Sequence, residues 1–148
     1  MTKACEMIAA AQQELYVRLF PEAGRRLTPN LKAAEKRGVG IRFIAMGNMP
    51  AAFDIQATHP NAEHLLEAIG GRSFDIIADK AEALVGIFER DQEDRSPINW
   101  TRNRWFVIAN RDSLRHDFYH CFLDKMIERG QTLSEKEHRL YQLIKSDI

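Results

Sequence analysis

His116, His120 and Asp124 follow one another at intervals of four residues. Side chains four apart share a helix face, so two imidazoles and a carboxylate would stand together at metal-ligand spacing. They lie on the polar side of their segment, opposite Phe118 and Phe122, and a complete site needs ligands from elsewhere. His59, Glu63 and His64 are the candidates on another segment. With those ligands unfixed, the spacing describes a polar edge, and neither a metal nor any other cofactor is expected. A second set is Asn99, Trp100, Arg102 and Asn103, continued by Arg104 and Trp105. Planar amides, a guanidinium and an indole offer forked donors to hydroxyls or phosphate and a flat face to a ring. The competing reading, of equal weight, is one tryptophan in the core and arginines at the surface. Asn48, Asp54 and Gln56 fall in the segment after an expected strand, where ligands of open α/β sheets collect. They could line the same cleft, although ordinary loop polarity accounts for them equally. Arg72 can hold a phosphate, but its guanidinium stays protonated and is no nucleophile. Cys5 and Cys121 read as buried thiols, with nothing nearby to demand a lowered pKa.

The elements that must position these residues are legible from pattern. Residues 2–14 are rich in helix formers, with Thr2 as the expected cap. Residues 15–20 read as a strand stopped by Pro21. Thr28 and Pro29 are expected to open a helix that Gly38 ends. Residues 39–46 form the next strand, so strand–helix–strand has the length of a parallel crossover. Residues 47–60 are expected to be irregular. Asn61 caps a short helix over 62–69, which Gly70 and Gly71 end. Residues 72–89 read as a hairpin turning at Asp79 and Lys80. The charge run 90–96 is expected as a solvated loop. Residues 98–101 and 105–109 are expected as a strand pair, or as a strand after an irregular turn, about Arg102, Asn103 and Arg104. A strong helix starts at Asp112 or Ser113 and runs to about Arg129, burying Leu114, Phe118, Cys121, Phe122 and Met126. Ser134 and Glu137 make a capping box for a last helix, with Leu140, Leu143 and Ile144 inward.

At 148 residues, 45% hydrophobic and 28% charged, the chain suits one domain, 1–148, with a real core. With 21 basic and 21 acidic residues the net charge is zero, which argues against non-specific nucleic-acid binding by this segment. No apolar run reaches the roughly 18–20 residues of a membrane span, and no secretory signal is evident, so no membrane partner is expected. Two cysteines far apart fit a reduced, cytoplasmic setting.

The hairpin RSFDIIADKAEALVG (72–86) resembles the one that carries the catalytic His-x-Lys-x4-Asp motif in the phospholipase D superfamily. With Asp79 on the motif's aspartate, Arg72 stands where the nucleophilic histidine should be and Phe74 where the lysine should be. That chemistry needs its nucleophile, so no catalytic residue is expected and the domain is not expected to be an enzyme. The order of elements, carried by LKAAEKRGVGIRFIAM (31–46), SFDIIADKAEALVG (73–86), INWTRN (98–103) and SLRHDFYHCFLDKM (113–126), resembles the C-terminal effector domain of TrmB-type transcriptional regulators. The resemblance implies an α/β fold, a single mixed β-sheet flanked by helices, phospholipase D-like. It implies a small-molecule effector, a sugar or sugar phosphate, and a homodimer to which the first and last helices would contribute. DNA would be bound only through an N-terminal winged helix-turn-helix, which is expected to be absent from this chain. The alternatives are a degenerate phosphodiesterase and an interaction module without a ligand. The expected ligand contacts are Asn48, Asp54, Arg72, Asn99, Trp100, Arg102 and Asn103, in a cleft bordered by Trp100 and Arg102.

Overall fold

The computed structural model describes residues 1–89 and 97–148; the expected loop over 90–96 lies outside the described residues. The strands are β1 (Glu14–Leu19), β2 (Gly40–Ala45), β3 (Ile55–Thr58), β4 (Gly71–Ala78), β5 (Glu82–Glu89) and β6 (Ile98–Thr101). They form one mixed sheet in the order β3-β2-β1-β4-β5-β6. β1 pairs with β2, and β2 with β3, in parallel; the pairings β1–β4, β4–β5 and β5–β6 are antiparallel. The helices are α1 (Thr2–Ala10), α2 (Pro21–Lys36), α3 (Ala62–Ile69), α4 (Arg104–Leu123) and α5 (Glu135–Ser146), with a π-helical turn Asp124–Glu128 closing α4.

Alternation along β1 sets the layers, because successive side chains point to opposite faces. Leu15, Val17 and Leu19 join a core with Met7 and Ile8 of α1 and Leu27 and Leu31 of α2. Tyr16 joins the opposite core with Leu114, Phe118 and Phe122 of α4 and Leu140 and Ile144 of α5. The apolar side of α1 is thus buried within its own chain.

Four expectations need correction. Met1, not Thr2, occupies the N-cap of α1. The second helix opens at Pro21, at its first turn, and Pro29 sits inside it. Thr28 is no cap: its hydroxyl donates to the Gly24 carbonyl at 2.6 Å. Burial of Ala23, Leu27, Leu31 and Ala34 along one stripe outweighs the hydrogen bond that Pro29 removes. The irregular stretch contains β3, paired from Arg42↔Ile55 to Ala45↔Thr58. Three half-exposed residues and an exposed one, IQAT, carry too little alternation to announce a strand. In the connection before it, Met49 packs against α2, its sulfur 2.5 Å from where a Cβ at Gly24 would stand, so a side chain there would have to push the methionine aside. Finally, residues 105–109 are helical. The Asn103 side chain accepts from the Phe106 N–H at 3.1 Å and caps α4 well before Asp112. The aromatic and β-branched composition of WFVIA favours a strand, but the cap and the docking of Val107 win. Trp105 is left 71% exposed.

The hairpin turn is as the sequence suggests. Asp79 and Lys80 have φ of 53° and 57°, and the Ala81 N–H donates to the Ala78 carbonyl at 2.9 Å. This is the type I′ turn that matches strand twist. The Asp79 carboxylate also accepts the backbone N–H groups of Gln12, Gln13 and Glu14 at 3.0, 2.8 and 3.0 Å. It clamps the α1–β1 connection to the hairpin. Asp79→Ala should therefore lower unfolding free energy in urea by about 2 kcal/mol, through lost charge-assisted bonds and an alanine in the left-handed region. Asp79→Asn, which tolerates that conformation, should cost roughly half as much.

At the same end of the sheet, Arg111 of α4 pairs with Glu14 through two bonds, Nε to Oε2 at 2.7 Å and Nη2 to Oε1 at 2.9 Å. Asp147, just past α5, accepts from the Tyr16 hydroxyl and from Arg42 Nε at 3.0 Å. Burial opposes ionisation of Asp147, but Tyr16, Arg42 and Arg111 hold its carboxyl below the usual range. The capping box at Ser134 and Glu137 is present and starts α5.

Candidate functional site

β1 and β2 run the same way, so their carboxyl ends open side by side. β4 runs against β1, which brings its first residues to that same end: Leu19 faces Phe74. Arg72 and Asn48 therefore meet there. They line a cleft of about 760 Å³ together with Arg25, His59, Asn61 and His64. Arg72 Nε lies 3.7 Å from a Glu22 carboxylate oxygen. Beyond His59, on the α5 side, lies another cavity of about 550 Å³ bordered by Thr58, Cys121, Asp124 and Glu137.

The remaining expected contacts do not reach the cleft. β6 is antiparallel to β5, and Thr101 faces Ala83 beside the Asp79–Lys80 turn. Three reversals after β1 thus run β6 away from the cleft: Asn99 and Trp100 stand on the edge strand, three strands from β1, and Arg102 and Asn103 follow at the opposite end of the sheet. There Trp100 Nε1 donates to Glu82 at 2.8 Å, and the Lys3 ammonium sits 4.4 Å above the indole. Asn103 is spent on capping α4, and Arg102 is exposed. Asp54 precedes β3, whose first residue lies beside Arg42, so it too stands away from the cleft. Asn48 and Arg72 thus share one cleft, and Trp100 and Arg102 do not border it.

Below the cleft lies a partly buried charge cluster, centred on the buried Asp75, that spacing arguments missed. Arg18 of β1 donates from Nε to Asp75 Oδ2 at 2.8 Å and from Nη1 to Asp117. Asp75 is 5% exposed, and burial pushes its carboxyl above the ordinary range while Arg18 pulls it back. His59, also 5% exposed, accepts the Asn61 N–H on Nδ1 at 3.1 Å. Burial lowers its pKa. The His59 and His120 ring centres are 5.0 Å apart. One ligand atom each from His59, Asp117 and His120 can be chosen so that all lie within 4.8 Å of one another. His116 instead is exposed beside Tyr119, and Asp124 pairs with Arg129 at 3.3 Å. The sequence does carry a signal for this cluster: Arg18 and Asp75 are charges flanked on both sides by apolar residues within their strands, and inward-facing charges require partners.

Cys121 is buried, and burial, with Asp117 and Asp124 nearby, pushes its thiol up to about 12, which leaves it unreactive. No helix among the described residues is long and apolar enough to cross a membrane.

A family model described as "Transcriptional regulator TrmB, EBD N-terminal subdomain" matches residues 1–134. An uncharacterized protein of Bacillus subtilis (strain 168), YrhO, is 26% identical over 134 residues, which is 90% of this chain and 46% of the relative. The chain thus spans about half the length of that relative. Among solved structures, TrmBL2, an archaeal chromatin protein, matches with a TM-score of 0.55 at 13% identity over 80% of this chain and 48% of its own. NucT from Helicobacter pylori matches at 0.56 and 11% identity, over 81% of this chain and 87% of its own. The phospholipase D family member Nuc from Salmonella typhimurium matches at 0.53 and 12% identity, over 80% of this chain and 86% of its own. The last two share the sheet and helices that carry the hairpin, so the fold is phospholipase D-like. With the family's pattern running through 134 of its residues, the chain belongs to the TrmB family of transcriptional regulators, as the N-terminal subdomain of the effector-binding domain.

Proposed function

We propose that this domain senses a small polar effector, a sugar or sugar phosphate, in the cleft of Asn48 and Arg72. The observation that carries this is the convergence of Arg25, Asn48, His64 and Arg72 at the carboxyl ends of two parallel strands. Ligands of open α/β sheets collect there. The cleft's volume of about 760 Å³ suits a small ligand, and its amide and guanidinium groups suit hydroxyls and phosphate. The domain is a binder and not a phosphodiesterase. Arg72 cannot attack phosphorus, and Phe74 packs into the core against Phe88 with ring centres 5.1 Å apart. His59, with Nδ1 accepting a backbone N–H, offers the cleft a donor rather than a nucleophilic lone pair when neutral.

The domain works as part of a cytoplasmic homodimer whose DNA contact is made by a winged helix elsewhere in the protein. The exposed Trp105, Phe106 and Ile108 offer apolar surface to a second subunit. An effector with different affinities for two dimer arrangements would shift the balance between them, and DNA affinity with it.

Thermal-shift screening against sugars, sugar phosphates and nucleotides tests the reading. A ligand at a hundred times its Kd should add about 2.7 kcal/mol of stability. Asn48→Ala and Arg72→Ala should weaken that ligand at least about tenfold, roughly the loss of one good charged hydrogen bond, while Arg102→Ala and Asp54→Ala leave it unchanged. No stabilisation across the library, or sensitivity to Arg102 instead of Arg72, would overturn the assignment. Sedimentation showing only monomer at micromolar concentration would overturn the dimer.

A further inference from the structure

We propose that His59, Asp117 and His120 form a binding site for a divalent first-row transition metal ion, with Zn²⁺ the best fit. Two imidazoles and one carboxylate are ligands for zinc and its neighbours, whereas Mg²⁺ and Ca²⁺ take oxygen donors. The three donor atoms lie within 4.8 Å of one another. A tetrahedral ion with bonds of about 2.0–2.1 Å wants its ligands roughly 3.3 Å apart, so a bound ion would draw these donors closer together. Two imidazoles on one such ion also place their ring centres about 5 Å apart, and here they are 5.0 Å apart.

The surroundings are those of a built site. Arg18 holds one oxygen of Asp117, and Asp75 holds Arg18, a chain of outer contacts of the kind that orients ligating carboxylates. Those three groups carry one net negative charge next to two imidazoles, the buried His59 and the exposed His120, and a divalent cation answers it. The ion pairs need neither histidine. His59 makes one hydrogen bond, through Nδ1, and His120 makes none among the described residues, so both rings keep a nitrogen free for coordination. A cavity of about 350 Å³ opens beside all three residues, leaving room for water or a ligand atom at a fourth position.

Coordination would end the bond from the Asn61 N–H to His59, whichever ring nitrogen is used. Bound through Nδ1, the ring loses the lone pair that accepts it. Bound through Nε2, the neutral ring carries its proton on Nδ1. His59 follows β3 and the other two ligands lie on α4, so the ion links the end of β3 to α4 below the effector cleft and releases the Asn61 N–H at the head of α3. The site does not depend on the effector's identity and is read with the metal alone.

The test uses the full 148-residue chain, stripped with a chelator and titrated with Co²⁺ and then Zn²⁺. One Co²⁺ should bind per chain, with visible absorption of a low-coordinate site, and Zn²⁺ should displace it and raise Tm. The Asn61 amide resonance should move on Zn²⁺ addition. His120→Ala, at an exposed position that leaves the fold intact, should weaken binding by at least about tenfold, the loss expected even from an outer-contact change. His116→Ala, one turn away, should not. No bound metal at a tenfold excess, full binding by His120→Ala, or equal loss in His116→Ala would each overturn the proposal.

Discussion

Replacing Arg111 with methionine should lower unfolding free energy by about 3–5 kcal/mol, the range for breaking a buried pair by removing one partner. Arg111 is 4% exposed and Glu14 7% exposed. Methionine matches much of the arginine stem in volume but supplies no donors, so Glu14 keeps its charge and loses both bonds. The damage extends to α5, because Arg111 Nη1 also donates to the Asp147 main-chain carbonyl at 2.9 Å, and the guanidinium lies 4.9 Å from the Tyr16 ring centre. Glu14→Leu combined with Arg111→Leu removes both charges together and should be less destabilising than Arg111→Met alone, since buried pairs are often replaceable by apolar residues. Urea denaturation with unchanged m-values checks both statements. A loss below about 1 kcal/mol in the single variant, the scale of a surface ion pair, would show that water reaches Glu14.

How much of this was legible depended on the range over which each signal acts. Local rules worked. Gly38 ended α2, the Asp79–Lys80 turn joined β4 to β5, and the Ser134 capping box opened α5. The parallel strand–helix–strand unit followed from length alone. Local rules failed where tertiary packing overruled propensity, as at Trp105, Phe106 and Ile108, which look like strand and lie in a capped helix. The site failed for a different reason. Asn48 and Trp100 both follow or end strands, but strand direction alternates after β1, and one-dimensional spacing does not say which end of the sheet a strand finishes on. Arg72 stands at the cleft because a hairpin fixes the direction of its own first residue relative to its turn. Helical spacing grouped His116, His120 and Asp124, yet the partner that His120 meets on α4 is Asp117, because the helix presents its i−3 neighbour toward β1 and His59. Asp79 carries the same lesson. It was aligned with a catalytic motif, and its three accepted backbone bonds give it a structural task at the end of the sheet remote from the cleft.

Arg18→Met should also cost about 3–5 kcal/mol near neutral pH, and its cost should depend on pH in a defined direction. Arg18 separates two carboxylates, Asp75 and Asp117, and neutralises one charge between them. Burial already raises the Asp75 carboxyl, with Arg18 pulling against it. A carboxyl raised in the folded state binds more protons folded than unfolded. Stability therefore falls as pH climbs from the unfolded value, roughly 3.9, through the folded one. Removing Arg18 takes away the opposing pull, pushes the folded value higher still and widens that window. The deficit of Arg18→Met relative to the parent should thus be smallest near pH 4.5, where Asp75 can take up a proton, and grow toward pH 7.5. Urea denaturation at the two pH values measures it. Adding Asp75→Asn to Arg18→Met should flatten the dependence, since the amide cannot titrate yet keeps the shape. A deficit that is the same at both pH values, or that survives unchanged in the double variant, would mean that Asp75 finds water or another donor once Arg18 is gone. The Asp75 carboxylate would then be reached by water, and not held dry by Arg18 as its 5% exposure and its bond describe.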